Sequence, residues 1–107
     1  RALVDGGVAN NLPVDLVREM GASKVIAVDL NVQRANVDLP VNLVDVSFRS
    51  FAMLLNMTSS QGRSDADVLI QPDLDEFSYH DLSVSRELIA RGEDAATAAL
   101  KEIRKLR

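Results

Sequence analysis

The chain has 107 residues, 47% of them hydrophobic, and 12 basic against 16 acidic side chains give it a formal net charge of −4. That length supports one core and falls short of two comfortable domains, while the charge balance, with no Lys/Arg block interleaved with aromatics, argues against a nucleic-acid partner. Cysteine is absent, which removes disulfides and thiolate metal sites, and apolar runs such as "KVIAVDL" and "FAMLL" are far shorter than the roughly 20 residues of a membrane span, so a soluble chain is expected, with the cytoplasm favoured.

In chain order, "ALV" at 2–4 reads as the end of a buried strand. "LPVDLVREMGA" reads as a short helix with Pro13 near its first turn, Leu16, Val17 and Met20 facing inward, and Gly21 as its stop. "KVIAVDL" at 24–30 has the profile of a strand covered on both faces of a parallel sheet. A polar stretch ending at Pro40 follows. Val44, Phe48, Phe51 and Leu55 then recur at three and four residues, the spacing of a longer second helix. "ADVLIQP" at 66–72 reads as a third buried strand, ended by Pro72, which has no amide hydrogen for a ladder. After the loop "DLDEFSYHDL", residues from about 83 to 106 place Leu88, Gly92, Ala99, Ile103 and Leu106 on one stripe of a terminal helix.

Strands alternating with helices predict an α/β fold with a mainly parallel sheet and helices packed on it. Three strands make a small sheet of this type, and the chain opens with an arginine inside what reads as a strand. Both features point to the carboxyl-terminal part of a larger domain, with a small complete domain as the alternative.

In open parallel sheets, sites lie beyond the carboxyl ends of the strands. Asp5 is expected at such an end, in "RALVDGGVANNLPV". The glycines after it permit positive φ and close approach by other groups, which are the conditions for presenting a carboxylate. For an Asp-Gly pair taken alone, a turn-shaping carboxylate that accepts loop amides is the commoner role.

The longer string "DGGVANNLPV", followed by "LVREMGASKVIAVDLN", resembles the carboxyl-terminal part of the patatin-like phospholipases, a family of serine acyl hydrolases. Asp5, Gly6, Gly7, Asn10 and Pro13 occupy the family's places, and "ADVLIQPDL" and "ELIARGEDAATAAL" look like its last strand and closing helix. Residues 31–63 are only weakly patterned in this respect. The resemblance implies that residues 1–107 are a partial patatin-like α/β hydrolase domain. It also implies a Ser-Asp dyad in which Asp5 is the catalytic aspartate, no cofactor and no metal, and a lipid or other ester as substrate. A carboxylate held within hydrogen-bond reach and partly desolvated can take a serine's proton directly; an acyl-enzyme then forms, with backbone amides holding the oxyanion.

The chain departs from the family pattern in lacking both the Gly-x-Ser-x-Gly elbow and the glycine-rich basic segment that builds the oxyanion hole. None of Ser23, Ser47, Ser50, Ser59, Ser60, Ser64, Ser78, Ser83 and Ser85 sits in such an elbow. The chain alone is expected to be inactive, its partner being the upstream part of the same protein that carries the serine.

Other residues carry blander readings. His80 in "FSYHDL" lies next to Asp81, but adjacent side chains do not orient each other as a triad requires. Asp29 ends a strand and reads as a cap or loop hydrogen-bond acceptor. Asp73, Asp75 and Glu76 lack the twelve-residue ligand loop of a calcium site. Asn10 and Asn11 are expected to bond the Asp5 loop and cap the following helix. Phe48, Phe51, Met53, Leu54, Leu55 and Met57 form an apolar face that reads as core, the alternatives being an acyl-chain pocket or a transient membrane contact. The rivals to the hydrolase reading are a non-catalytic α/β interaction module whose loop amides bind an anion, and an independently folded domain of no enzyme.

Overall fold

The computed structural model describes residues 2–30, 42–77 and 82–107. In chain order these form α1 (Gly7–Asn10), α2 (Val14–Glu19), β1 (Ile26–Val28), α3 (Leu43–Asp65), β2 (Val68–Ile70) and α4 (Ser85–Ile103), and 3-10 turns at Leu82–Val84 and Arg104–Leu106 flank α4. β1 and β2 pair in parallel, with Ile26 opposite Val68, Ala27 opposite Leu69 and Val28 opposite Ile70. Among the described residues this is a mixed α/β arrangement with a two-stranded parallel sheet.

Local chemistry sets the element ends. Gly21 has φ +102°, and the Gly21 and Ala22 amides donate back to the Arg18 and Val17 carbonyls, a paired closure of α2 that needs a left-handed residue. The α3 start is fixed by Asn42, whose side-chain oxygen accepts the Asp45 amide at 2.8 Å. Its far end passes into extended backbone at Ala66, two residues before β2. Because α3 is the crossover between two parallel strands, it runs opposite to them. Residues earlier in α3 therefore lie farther toward the carboxyl ends of the strands.

The core lies between α2 and one side of the sheet: Leu12, Val14, Val25 and Ala27 are buried together, with Ala22, Ala66 and Leu69 against them. α4 packs on β2. Both faces of β1 were expected to be covered; instead Ile26 and Val28 on its other face are 45% and 51% exposed. The segment at 2–4 is no strand, and Leu3 and Val4 are 88% and 83% exposed, since no described strand pairs with them to form a ladder. Within α2 it is Val14, at the first turn, that is buried, while Leu16, Val17 and Met20 are exposed. A helix of six residues meets the core through one end only.

Candidate functional site

Asp5 sits in the turn that enters α1. The Gly7 amide donates to Asp5 Oδ1 at 2.7 Å, a carboxylate-to-amide turn spanning two residues. The side chain is exposed, and no cation among the described residues lies within ion-pair distance of it. The loop-shaping role is therefore present for one oxygen of an otherwise exposed residue.

The two glycines differ. Gly6 has φ −62°, and a Cβ built on it would meet nothing within 4 Å, so neither positive φ nor close approach requires a glycine there. Gly7 is buried, and a Cβ would lie 2.7 Å from Asn11 Oδ1, 2.8 Å from Leu55 Cδ2 and 3.1 Å from Asp5 Oδ1. The close approach thus belongs to the second glycine, where α3 presses on the turn.

α3 holds the turn by three contacts. Thr58 Oγ1 donates to the Gly7 carbonyl at 2.8 Å, Asn11 Nδ2 donates to Ser59 Oγ at 2.9 Å, and Gly62 lies so close to Leu12 that any Cβ would overlap the Leu12 carbonyl. Five residues beyond Thr58, Arg63 donates from Nη1 to Asp29 Oδ2 at 2.8 Å, and from Nη2 to the carbonyl and side-chain oxygens of Asn56. Gln71 Nε2 reaches the same Asp29 oxygen at 3.4 Å. Asp29 and Gln71 directly follow β1 and β2, so one stretch of α3 grips both the Asp5 turn and the carboxyl ends of the strands. The turn packs on the part of α3 that lies farther in that direction.

The side chains of Asn10 and Asn11 bond Asp15 and Ser59, not the Asp5 loop, to which Asn10 donates only through its backbone amide. Asn10 donates to Asp15 Oδ1 at 2.8 Å, which holds the Asp15 carboxyl below its usual range, and α2 has no side-chain cap. The amides of Gly7, Val8, Ala9 and Asn10 are all donated within the turn, to Asp5 Oδ1, the Asp5 carbonyl and the Gly6 carbonyl. An anion would find these four occupied.

The remaining candidates lie elsewhere. Asp29 is buried in the Arg63 ion pair. Glu76 pairs with Arg91 at 3.6 Å, and that guanidinium sits 5.9 Å from the Phe77 ring centroid, so the loop at 73–77 is tied to α4. Ser78, His80 and Asp81 lie outside the described residues. Phe48, Phe51, Met53, Leu54 and Met57 are exposed, and Leu55 alone of that face is half-buried, against Gly7. Core packing was expected for all six; only the second half of α3 is covered by α1 and α2.

Thr58, Ser59, Gly62 and Arg63 were not singled out from the sequence. The available signal was small and hydroxyl residues recurring at three and four positions, which permits close helix contact. Asp67 was also missed. At the amino ends of the strands it accepts from the Val25 amide at 2.9 Å, from Arg18 at 2.7 Å and from Lys24 at 3.1 Å. Those bonds, the Val25 amide foremost, hold its carboxyl far below the usual range.

No family model matches the chain. A stretch of 31 residues, 29% of the chain, is 58% identical to patatin-like phospholipase domain-containing protein 6 of Mus musculus, and the proteins of that name from Pongo abelii and Homo sapiens match to the same extent. The match spans 2% of the length of each of these relatives. The chain is thus similar to patatin-like phospholipases over a local stretch, and the likeness supports a relation to that family at most.

Proposed function

We propose that this chain is the carboxyl-terminal portion of a patatin-like lipid acyl hydrolase domain, in which Asp5 is the general base of a Ser-Asp dyad. The observation that carries this reading is the state of Asp5: one oxygen anchored by the Gly7 amide, the carboxylate otherwise exposed, and the turn clamped by α3. The local similarity to patatin-like phospholipases supports it. An anchored oxygen fixes the carboxylate's orientation, and a serine hydroxyl brought to its open side by sequence outside this chain would lose its proton there as it attacks an ester carbonyl. The seated serine-bearing part would also exclude water from Asp5. The anion-binding rival is disfavoured, because four amides of the turn are already donated internally.

Asp5→Asn in the longer protein tests this directly. Loss of a general base predicts a fall of about 100-fold to 10,000-fold in hydrolysis of a short-chain p-nitrophenyl ester, with the fold unchanged by circular dichroism. Retained turnover, or an upstream sequence with no Gly-x-Ser-x-Gly elbow, would end the proposal.

A further inference from the structure

We propose that the tip of α4 docks on an anionic lipid surface through Lys101, Arg104 and Lys105, with Arg107 beside them. Residues 101–107 carry four cations and one acid, while the chain as a whole is at −4, so the other hundred residues sum to −7. Lys101, Arg104 and Lys105 stand three and four residues apart and share one side of the helix, and half-buried Ile103 takes the opposite side. All four cations are exposed, and none has a carboxylate within ion-pair distance among the described residues. Leu100, 42% exposed, borders them.

Cations at a helix carboxyl end also complement the macrodipole, but that attraction fades within the last turn and does not call for four. Farther back, α4 carries Arg86, Glu87, Arg91, Glu93 and Asp94, a mixed set that sums to −1. About 10 Å of helix separates Asp94 from Lys101, so the net positive charge of this carboxyl-terminal segment is concentrated at residues 101–107. The acidic remainder of the molecule is repelled by a negative surface, which turns residues 101–107 toward it. The cations spread over two turns with no groove or fitted pocket among them, and a diffuse field of this kind matches a mobile array of head groups. The inference stands independently of the hydrolase reading.

The test is sedimentation of the full chain with vesicles of phosphatidylcholine, alone or mixed with phosphatidylserine. Binding is expected to favour the phosphatidylserine vesicles and to be lost in high salt. Lys101→Gln/Arg104→Gln/Lys105→Gln is expected to weaken it about 100-fold, close to fivefold per cation, as about 1 kcal/mol per basic residue at a lipid surface implies. Glu102→Lys changes the charge there by two and is expected to strengthen it about 25-fold on the same basis. Binding to pure phosphatidylcholine reports the apolar face of α3 and should be the same for all variants. Equal binding of the triple variant and the parent chain to phosphatidylserine vesicles would overturn the proposal. So would displacement by polyglutamate together with no preference for phosphatidylserine, which would assign the tip to an acidic protein.

Discussion

Arg63 of α3 and Asp29 at the end of β1 form an ion pair at 2.8 Å in which the Asp29 side chain is 1% exposed and that of Arg63 19% exposed. Removing one partner of a buried pair strands the other charge, whereas removing both does not. Arg63→Met is therefore expected to cost about 3 kcal/mol of stability, and the double variant Arg63→Met/Asp29→Leu to cost less. Urea denaturation of the four proteins of the cycle measures this. A double variant less stable than Arg63→Met alone would show that the pair is not the unit.

The two glycines beside Asp5 should respond oppositely to alanine. At Gly6 the backbone is helical and the space is open, so Gly6→Ala is expected to stabilise by about 0.5 kcal/mol through the unfolded chain. At Gly7 the methyl must displace Leu55 and Asn11, and a loss of about 2 kcal/mol is expected. Thermal melts of the two variants, compared with the parent chain, decide the matter.

Asp67 sets an acid limit on stability. Unfolded, its carboxyl takes up a proton near the ordinary value of 3.8; folded, the Val25 amide, Arg18 and Lys24 keep it ionised well below that. The unfolded state then binds more protons in acid, so this contribution is complete above about pH 4 and is lost as the pH falls further. Asp67→Asn is expected to lower stability at pH 7 and to flatten the decline below pH 4, as read from denaturant midpoints across that range.

The uncovered side of α3 gives a fourth expectation. Phe48, Phe51, Met53 and Met57 are exposed, as are Leu3 and Val4. Exposed apolar side chains in this number bind hydrophobic dyes and favour self-association. The chain alone should enhance the fluorescence of anilinonaphthalene sulfonate, and Phe48→Ser/Met57→Ser should reduce the signal. A dye-silent, monomeric chain would count against an exposed face.

Hydrophobic period and punctuation made most of the element order legible. The β-branched run before Asp29 and the run before Pro72 became the two strands, and Gly21 closed α2 as its position suggested. What failed was the assignment of inner and outer faces. Period tells which residues share a side, while burial depends on what stands opposite, and Leu16, Met20 and Phe51 remain 52%, 81% and 40% exposed. At the candidate site, a carboxylate-shaped turn at Asp5 could be read locally, although the packing requires a glycine at Gly7 and not at the adjacent Gly6. The α3 residues that hold the turn could not be, because Thr58 and Gly7 are 51 positions apart, and the small and hydroxyl residues of α3 mark a close contact without naming its partner.

The sheet is pinned by charge at both ends, but in unlike surroundings. At the amino ends, Asp67 meets Arg18 and Lys24, which are 36% and 54% exposed; at the carboxyl ends, Asp29 meets Arg63 almost out of contact with solvent. At about 1 M salt the screening length shrinks to roughly 3 Å, which weakens wet pairs and spares dry ones. Ionic strength thus acts on this molecule as a one-sided lever: it slackens the edge remote from Asp5 and leaves the neighbourhood of that carboxylate taut.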